Sequence, residues 1–151
     1  MSVCTFFGHR DCPGTIRLRL KEVLITLIEE RGVDVFYVGR QGAFDAMVRS
    51  VLRELATVYP NIRYAVVLER VPVKKDVLSV EDYADTILPE GIEQAHPRYA
   101  ISWRNRWMLG QADYVVVYVA HSWGGAAKFA EVAKRQKKKV INLAVSGDAV
   151  T

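Results

Sequence analysis

Six consecutive residues, Tyr114 to Val119, are all β-branched or aromatic and carry no charge. Such a run suits a strand buried on both faces, which needs helices packed on both sides of its sheet. Gly124 and Gly125 follow. Then Ala126, Phe129, Ala130 and Ala133 recur at i, i+3, i+4 and i+7, the apolar stripe of a helix. Lys137, Lys138 and Lys139 close that helix, where cations suit the negative end of its dipole. Val140 to Val145 reads as the next buried strand. Strand, glycine turn and helix in this order aim backbone N–H groups and a positive dipole end at one spot. The turn is therefore expected to hold a phosphate.

The rest of the chain repeats the alternation. Val3 to Phe7 reads as a strand, and Gly8 to Thr15 as a polar loop with Thr15 as the helix N-cap. A helix from Ile16 to Arg31 aligns Ile16, Leu20, Val23, Leu24, Leu27 and Ile28, and Gly32 caps it. Val33 to Val38 is a second strand, broken by the loop Gly39 to Asp45. The next helix runs to about Tyr59, with Phe44, Met47, Val48, Val51, Leu52, Leu55 and Val58 on one face. Pro60 and Asn61 stop it, and Ile62 to Leu68 is a third strand. From Glu69 to His96 the pattern loosens into a long loop with one short helix near Ser79 to Thr86. Pro97 opens a helix to Gln111. The expected fold is α/β: one Rossmann-like domain over residues 1–151, with a mostly parallel five-stranded sheet and helices on both faces.

Composition excludes several classes. Half the residues are apolar and a quarter charged, the balance of an ordinary globular chain. Met1 to Phe7 lacks the basic segment of a signal peptide, and no apolar run is long enough to span a bilayer. The expected location is the cytoplasm, with no membrane partner. Cys4 and Cys12 are the only cysteines, and Cys4 alternates with apolar neighbours as a small core residue would. No residues show metal-ligand spacing. Neither GxGxxG nor GxxxxGK[ST] is present, so no cofactor is expected. A net charge of +4 is mild, and Lys137 to Lys139 is a short run. Nucleic acid is therefore not expected as a partner.

In parallel sheets, ligands bind beyond the carboxyl ends of the strands. Three such ends carry polar or glycine-rich segments: Gly8-His9-Arg10, Gly39 to Asp45, and His121 to Gly125. Arg10 suits a phosphate because its guanidinium offers two parallel donors. Gly39, Gly42, His9 and Arg10 would line the opposite side from Gly124 and Gly125, and Gly8 and Asp45 are further ligand-binding candidates. Trp123, inside the glycine turn, is a candidate to stack on a base. Trp103 and Trp107 share a helix face, and Arg104 beside them can orient a sugar or phosphate. Glu131 can serve as a carboxylate toward ribose or as an acid or base.

These residues resemble those of the SLOG superfamily, the Rossmann-like group that holds the LOG phosphoribohydrolases, the DprA-type DNA-processing proteins and the YpsA-like proteins. Gly124-Gly125-Ala126-Ala127-Lys128-Phe129-Ala130-Glu131 is similar to the LOG pattern GGxGTxxE at the two glycines and the glutamate. Arg104 precedes the strand, as the LOG arginine does. The resemblance implies catalytic roles for Arg104 and Glu131. Ala127 and Lys128 depart from the pattern, and Trp123 stands where LOG enzymes carry proline. Phe6-Phe7-Gly8-His9-Arg10 and Gly39 to Asp45 look closer to the YpsA-like branch. The leading expectation is binding or sensing of a nucleotide or nucleotide-derived ligand. The alternatives are LOG-like hydrolysis of an N-glycosidic bond in a nucleoside monophosphate and DprA-like binding of single-stranded nucleic acid. LOG-like proteins are commonly dimers, which implies a homodimer through aromatics on the Pro97 to Gln111 helix.

Overall fold

A computed structural model describes residues 1–71, 85–145 and 150. Six strands form one sheet: β1 (Val3–Gly8), β2 (Val35–Val38), β3 (Arg63–Val67), β4 (Thr86–Ile87), β5 (Tyr114–Tyr118) and β6 (Lys139–Asn142). Among the described residues, four α-helices connect them: α1 (Arg17–Arg31), α2 (Gly42–Ala56), α3 (Ala100–Gln111) and α4 (Gly125–Arg135). The spatial order is β4-β3-β2-β1-β5-β6, and every neighbouring pair is parallel.

The α/β class, the parallel sheet and the helices on both faces match the sequence reading, but the sheet has six strands where five were expected. The extra strand is Thr86–Ile87, two residues long, inside the segment read as loop. Neither length nor pattern marks so short a strand; it exists because Val66 and Val67 offer it a free edge. Residues 79–84 of the short helix expected near Ser79 to Thr86 lie outside the described residues, and Thr86 itself is strand. Thr15 does not cap α1: it sits in a 3-10 turn, Gly14–Ile16, that makes no side-chain cap. Gly32 ends α1 in the left-handed conformation, at φ 68°.

Strand alternation sorts the core into two layers. Phe6, Phe36, Val38, Val66 and Val116 pack with the apolar stripes of α1 and α2. Phe7, Val67, Val115 and Val117 pack with Met108 and Leu109 of α3 and Phe129, Ala130 and Ala133 of α4. Cys4 is fully buried in the first layer, where burial pushes its thiol far up and leaves it inert.

The chain winds outward from β1 through β2 and β3 to β4, then returns to place β5 on the other side of β1. The direction of winding therefore reverses between β1 and β5, and the connections on either side diverge to leave a crevice above them. Phe44, fully buried in the first turn of α2, stacks on Tyr118 at the end of β5 with ring centroids 6.4 Å apart. Phe44→Ala is expected to cost about 3–5 kcal/mol. Urea unfolding checks this: the midpoint should fall while the slope with denaturant stays unchanged.

Candidate functional site

The crevice between the β1 and β5 ends is a cleft of about 640 Å³. Phe6 to Asp11 at the end of β1 and beyond it, Gln41 and Asp45 at the start of α2, and Tyr118, Ala120 and His121 at the end of β5 and beyond it line the cleft. Gly124, Gly125 and Ala126 at the start of α4, and Ile101, Arg104 and Asn105 of α3, complete it.

Two helix N-termini meet here, and they differ. At α2 two amides are occupied: Gln41 N–H donates to Asp45 Oδ2 at 2.8 Å, and Ala43 N–H donates to the Arg10 carbonyl at 2.8 Å. At α4 no side chain caps the helix and no acidic residue stands in its first turn. Its leading amides have no partner within the helix, so they face the cleft as donors. Gly124 enters α4 at φ 95° and ψ 171°, a backbone state that a side chain resists, so glycine is needed for the turn to present those amides. Asn142 steadies the approach to this turn. Its Oδ1 accepts from Val119 N–H at 3.1 Å, and its Nδ2 donates to the Val119 carbonyl at 3.0 Å.

A column of rings borders the α4 turn. His9 stacks on His121 with centroids 3.6 Å apart and 11° between planes, and His121 stacks on Trp123 at 3.8 Å and 16°. Tyr118 meets His9 edge-on at 6.0 Å. His9 Nε2 accepts from Ala120 N–H at 3.0 Å and from His121 N–H at 3.4 Å, so this nitrogen carries no proton. The column ends outside the cleft in Trp123, which is 69% exposed.

Charge is buried beneath the opposite wall. Arg40 grips Glu69 through Nε at 3.2 and 3.1 Å and through Nη2 at 3.0 Å. Arg104 Nη1 lies 3.7 Å from the same carboxylate and has no hydrogen-bond partner among the described residues. Burial alone would raise the Glu69 pKa; hydrogen bonds from Arg40 and the charges of Arg40 and Arg104 outweigh it and hold the carboxyl below its ordinary range. Asp45 goes the other way: burial raises it, against the Gln41 amide and the charges of Arg104 and Arg49. Gly39 makes the cluster possible. A Cβ there would fall 2.8 Å from Asp45 Oδ2 and 2.9 Å from Arg104 Nη1, inside contact distance of both.

Of the residues singled out from sequence, Gly8, His9, Arg10, Asp45, Arg104, Gly124 and Gly125 come together in the cleft. Gly39 and Gly42 stand behind its wall, the first against Asp45 and Arg104, the second against the Cα of Arg10. Trp123 stands at the mouth. Glu131 does not join them: its side chain is 67% exposed, its carboxylate lies 3.7 Å from Lys134 Nζ, and it is not among the cleft residues. In α4 the inward phase belongs to Ala127, Phe129, Ala130 and Ala133, which turns Glu131 outward. The structure thus does not set Arg104 and Glu131 toward one ligand. Sequence reading missed Gln41, Glu69, Asn105 and Tyr118 as site residues. Glu69 had a signal, since it directly follows a buried parallel strand as His9 and Gly39 do. Asn105 had none apart from its neighbour Arg104.

No protein-family model matches the chain, and no curated protein matches it in sequence. Solved structures do share its fold. DNA processing protein A (DprA) from Streptococcus pneumoniae superposes at a TM-score of 0.69 with 19% identity over 94% of this chain. DNA processing protein A from Helicobacter pylori, described for its single-stranded DNA binding mode, superposes at 0.64 with 12% identity over 93% of this chain. The chain spans 50% of the first of these proteins and 64% of the second. The chain therefore shares the Rossmann-like α/β fold of these DprA structures. These neighbours correct the expectation that set nucleic acid aside. The fold serves DNA-processing proteins, one of them binding single strands, so a mild net charge is no ground for that exclusion. Among the described residues, no helix is long and apolar enough to cross a membrane.

Burial, and next the charge of His121, lower the His9 pKa from its ordinary value. Folding thus favours the neutral ring. Its contribution to stability is complete above the ordinary imidazole value of about 6.5 and drains away as pH falls through the lower folded value. Tyr118, Arg10 and Asp11 also lie at this end of the cleft. His9→Gln keeps an acceptor without the titration. The stability difference between wild type and His9→Gln, measured by denaturant unfolding, should shift against wild type as pH drops from about 7.5 to about 5. A pH-independent difference would refute this.

Proposed function

We propose that the cleft binds single-stranded nucleic acid, with a backbone phosphate on the α4 N-terminus and an unpaired base on Trp123. The observation that carries this reading is the His9–His121–Trp123 column, which ends in an indole 69% exposed beside the uncapped start of a helix. An exposed aromatic platform suits a base with a free face, and stacking of this kind contributes about 1–3 kcal/mol per base with little sequence preference. Paired bases present edges, so the platform favours single strands over duplex. The phosphate lands where the α4 amides are unfilled, with exposed Arg10 and Lys128 nearby to supply charge.

The single-strand binding described for the Helicobacter pylori neighbour supports the same reading. A free nucleotide would use the same two contacts, so the nucleotide-binding expectation is contained in this one. Within the superfamily, Phe6 to Arg10 and Gly39 to Asp45 favour the YpsA-like branch.

Fluorescence anisotropy with a labelled oligonucleotide tests the proposal. Trp123→Ala should weaken binding roughly tenfold. Duplex of the same length should compete poorly, and affinity should fall as salt rises. Equal affinity of Trp123→Ala and wild type, with duplex competing as well as single strand, would contradict it.

A further inference from the structure

Beneath the phosphate and base contacts lies a pair of polar atoms that the protein leaves unused. Asp45 is 7% exposed and Asn105 8%, and both line the cleft together with the start of α4. Asp45 Oδ2 is committed to Gln41 N–H at 2.8 Å. Its Oδ1 makes no hydrogen bond among the described residues. Asn105 Oδ1 accepts from Arg104 Nε at 3.2 Å and Nη2 at 2.9 Å, which fixes the orientation of the amide. Its Nδ2 is therefore turned away from Arg104, and it too makes no hydrogen bond among the described residues. The cleft wall thus offers one acceptor and one donor on nearly buried side chains, both reachable from the cleft.

We propose that this pair is a ribose subsite: Asp45 Oδ1 and Asn105 Nδ2 hold a sugar hydroxyl of the nucleotide whose phosphate sits on α4, so ribonucleotides bind in preference to 2′-deoxyribonucleotides. The proposal rests on the reading of the cleft given above. A hydroxyl donates and accepts at once, which matches the pair. A phosphate does not fit there, because the Asp45 carboxylate repels it. A base is drawn instead to the platform outside. Gly39, by leaving room for both Asp45 and Arg104, keeps the pair in place.

The polarity of the pair gives a test that a merely structural role would not pass. Asp45→Asn keeps the oxygen that receives Gln41 N–H and turns a donor toward the cleft. Asn105→Asp keeps the oxygen that receives Arg104 and turns an acceptor toward it. Asp45→Asn faces the hydroxyl with two donors, both of which its oxygen can accept, whereas Asn105→Asp faces it with two acceptors, and the hydroxyl's single proton serves only one. The double variant restores one donor and one acceptor with the positions exchanged. Calorimetric titration would use AMP, dAMP, and single-stranded RNA and DNA of one sequence. Wild type should prefer the ribose form roughly ten- to a hundredfold, Asn105→Asp should bring the two forms toward parity while Asp45→Asn keeps part of the preference, and the double variant should regain it. The mononucleotide and oligonucleotide arms show whether the ribonucleotide is taken free or within a strand. If the oligonucleotides bind but ribose and deoxyribose forms are equal in wild type, the subsite is refuted while strand binding stands. If none of the four ligands binds, the reading beneath it fails as well. The wild-type comparison decides between these even if a variant does not fold.

Discussion

The pairing of β1 with β5 is the constraint from which the rest follows. It sets Phe7 beside Val117 and Gly8 beside Tyr118, so both strands end at the same height. The winding reverses between them, and each side sends its loop and helix away from the other. A crevice at this point is a consequence of topology. His9 and His121 then stack because the two loops leave neighbouring strand ends, and α4 points its N-terminus inward because the chain must turn at Gly124 to pack Phe129 and Ala133 against β1 and β5.

The two helix starts at the cleft show how local chemistry assigns roles within a symmetrical-looking arrangement. At α2, Asp45 and the Arg10 carbonyl hold the Gln41 and Ala43 amides, so that end acts as a structural clamp between the β1 and β2 loops. At α4 the leading amides have no partner among the described residues. An anion is stabilised only where donors remain unpaired. The buried cluster of Arg40, Glu69, Arg104 and Asp45 gives the cleft a firm wall, because removing one partner of such a set strands the other charges, at about 3–5 kcal/mol.

Much of this was legible in the sequence, for identifiable reasons. Runs such as Tyr114 to Val119 admit few structures besides a strand covered on both faces, and the helix stripes of Leu20 to Ile28 and Phe44 to Leu55 repeat with one period. The three strand ends carrying Gly8, Gly39 and Gly124 pointed to a common crevice. What escaped notice depends on three-dimensional phase or on distant partners. The two-residue β4 is specified by its neighbour, not by its own pattern. Glu131 matched a motif in spacing, yet the helical phase of α4 turns it to solvent. Asn105 and Glu69 became site residues only through Arg104, which links helix α3 to the end of β3. Net charge misled most: it averages over the chain, whereas an anion meets one helix end.

The central claim is that α4, not α2, receives the phosphate. Backbone amide chemical shifts followed during titration with a single-stranded oligonucleotide test it most directly. The Gly125 and Ala126 amides should move and saturate with the titration while the Ala43 amide, already bonded to Arg10, stays in place. Shifts confined to the Lys137 to Lys139 surface, with Gly125 and Ala126 unmoved, would contradict the account.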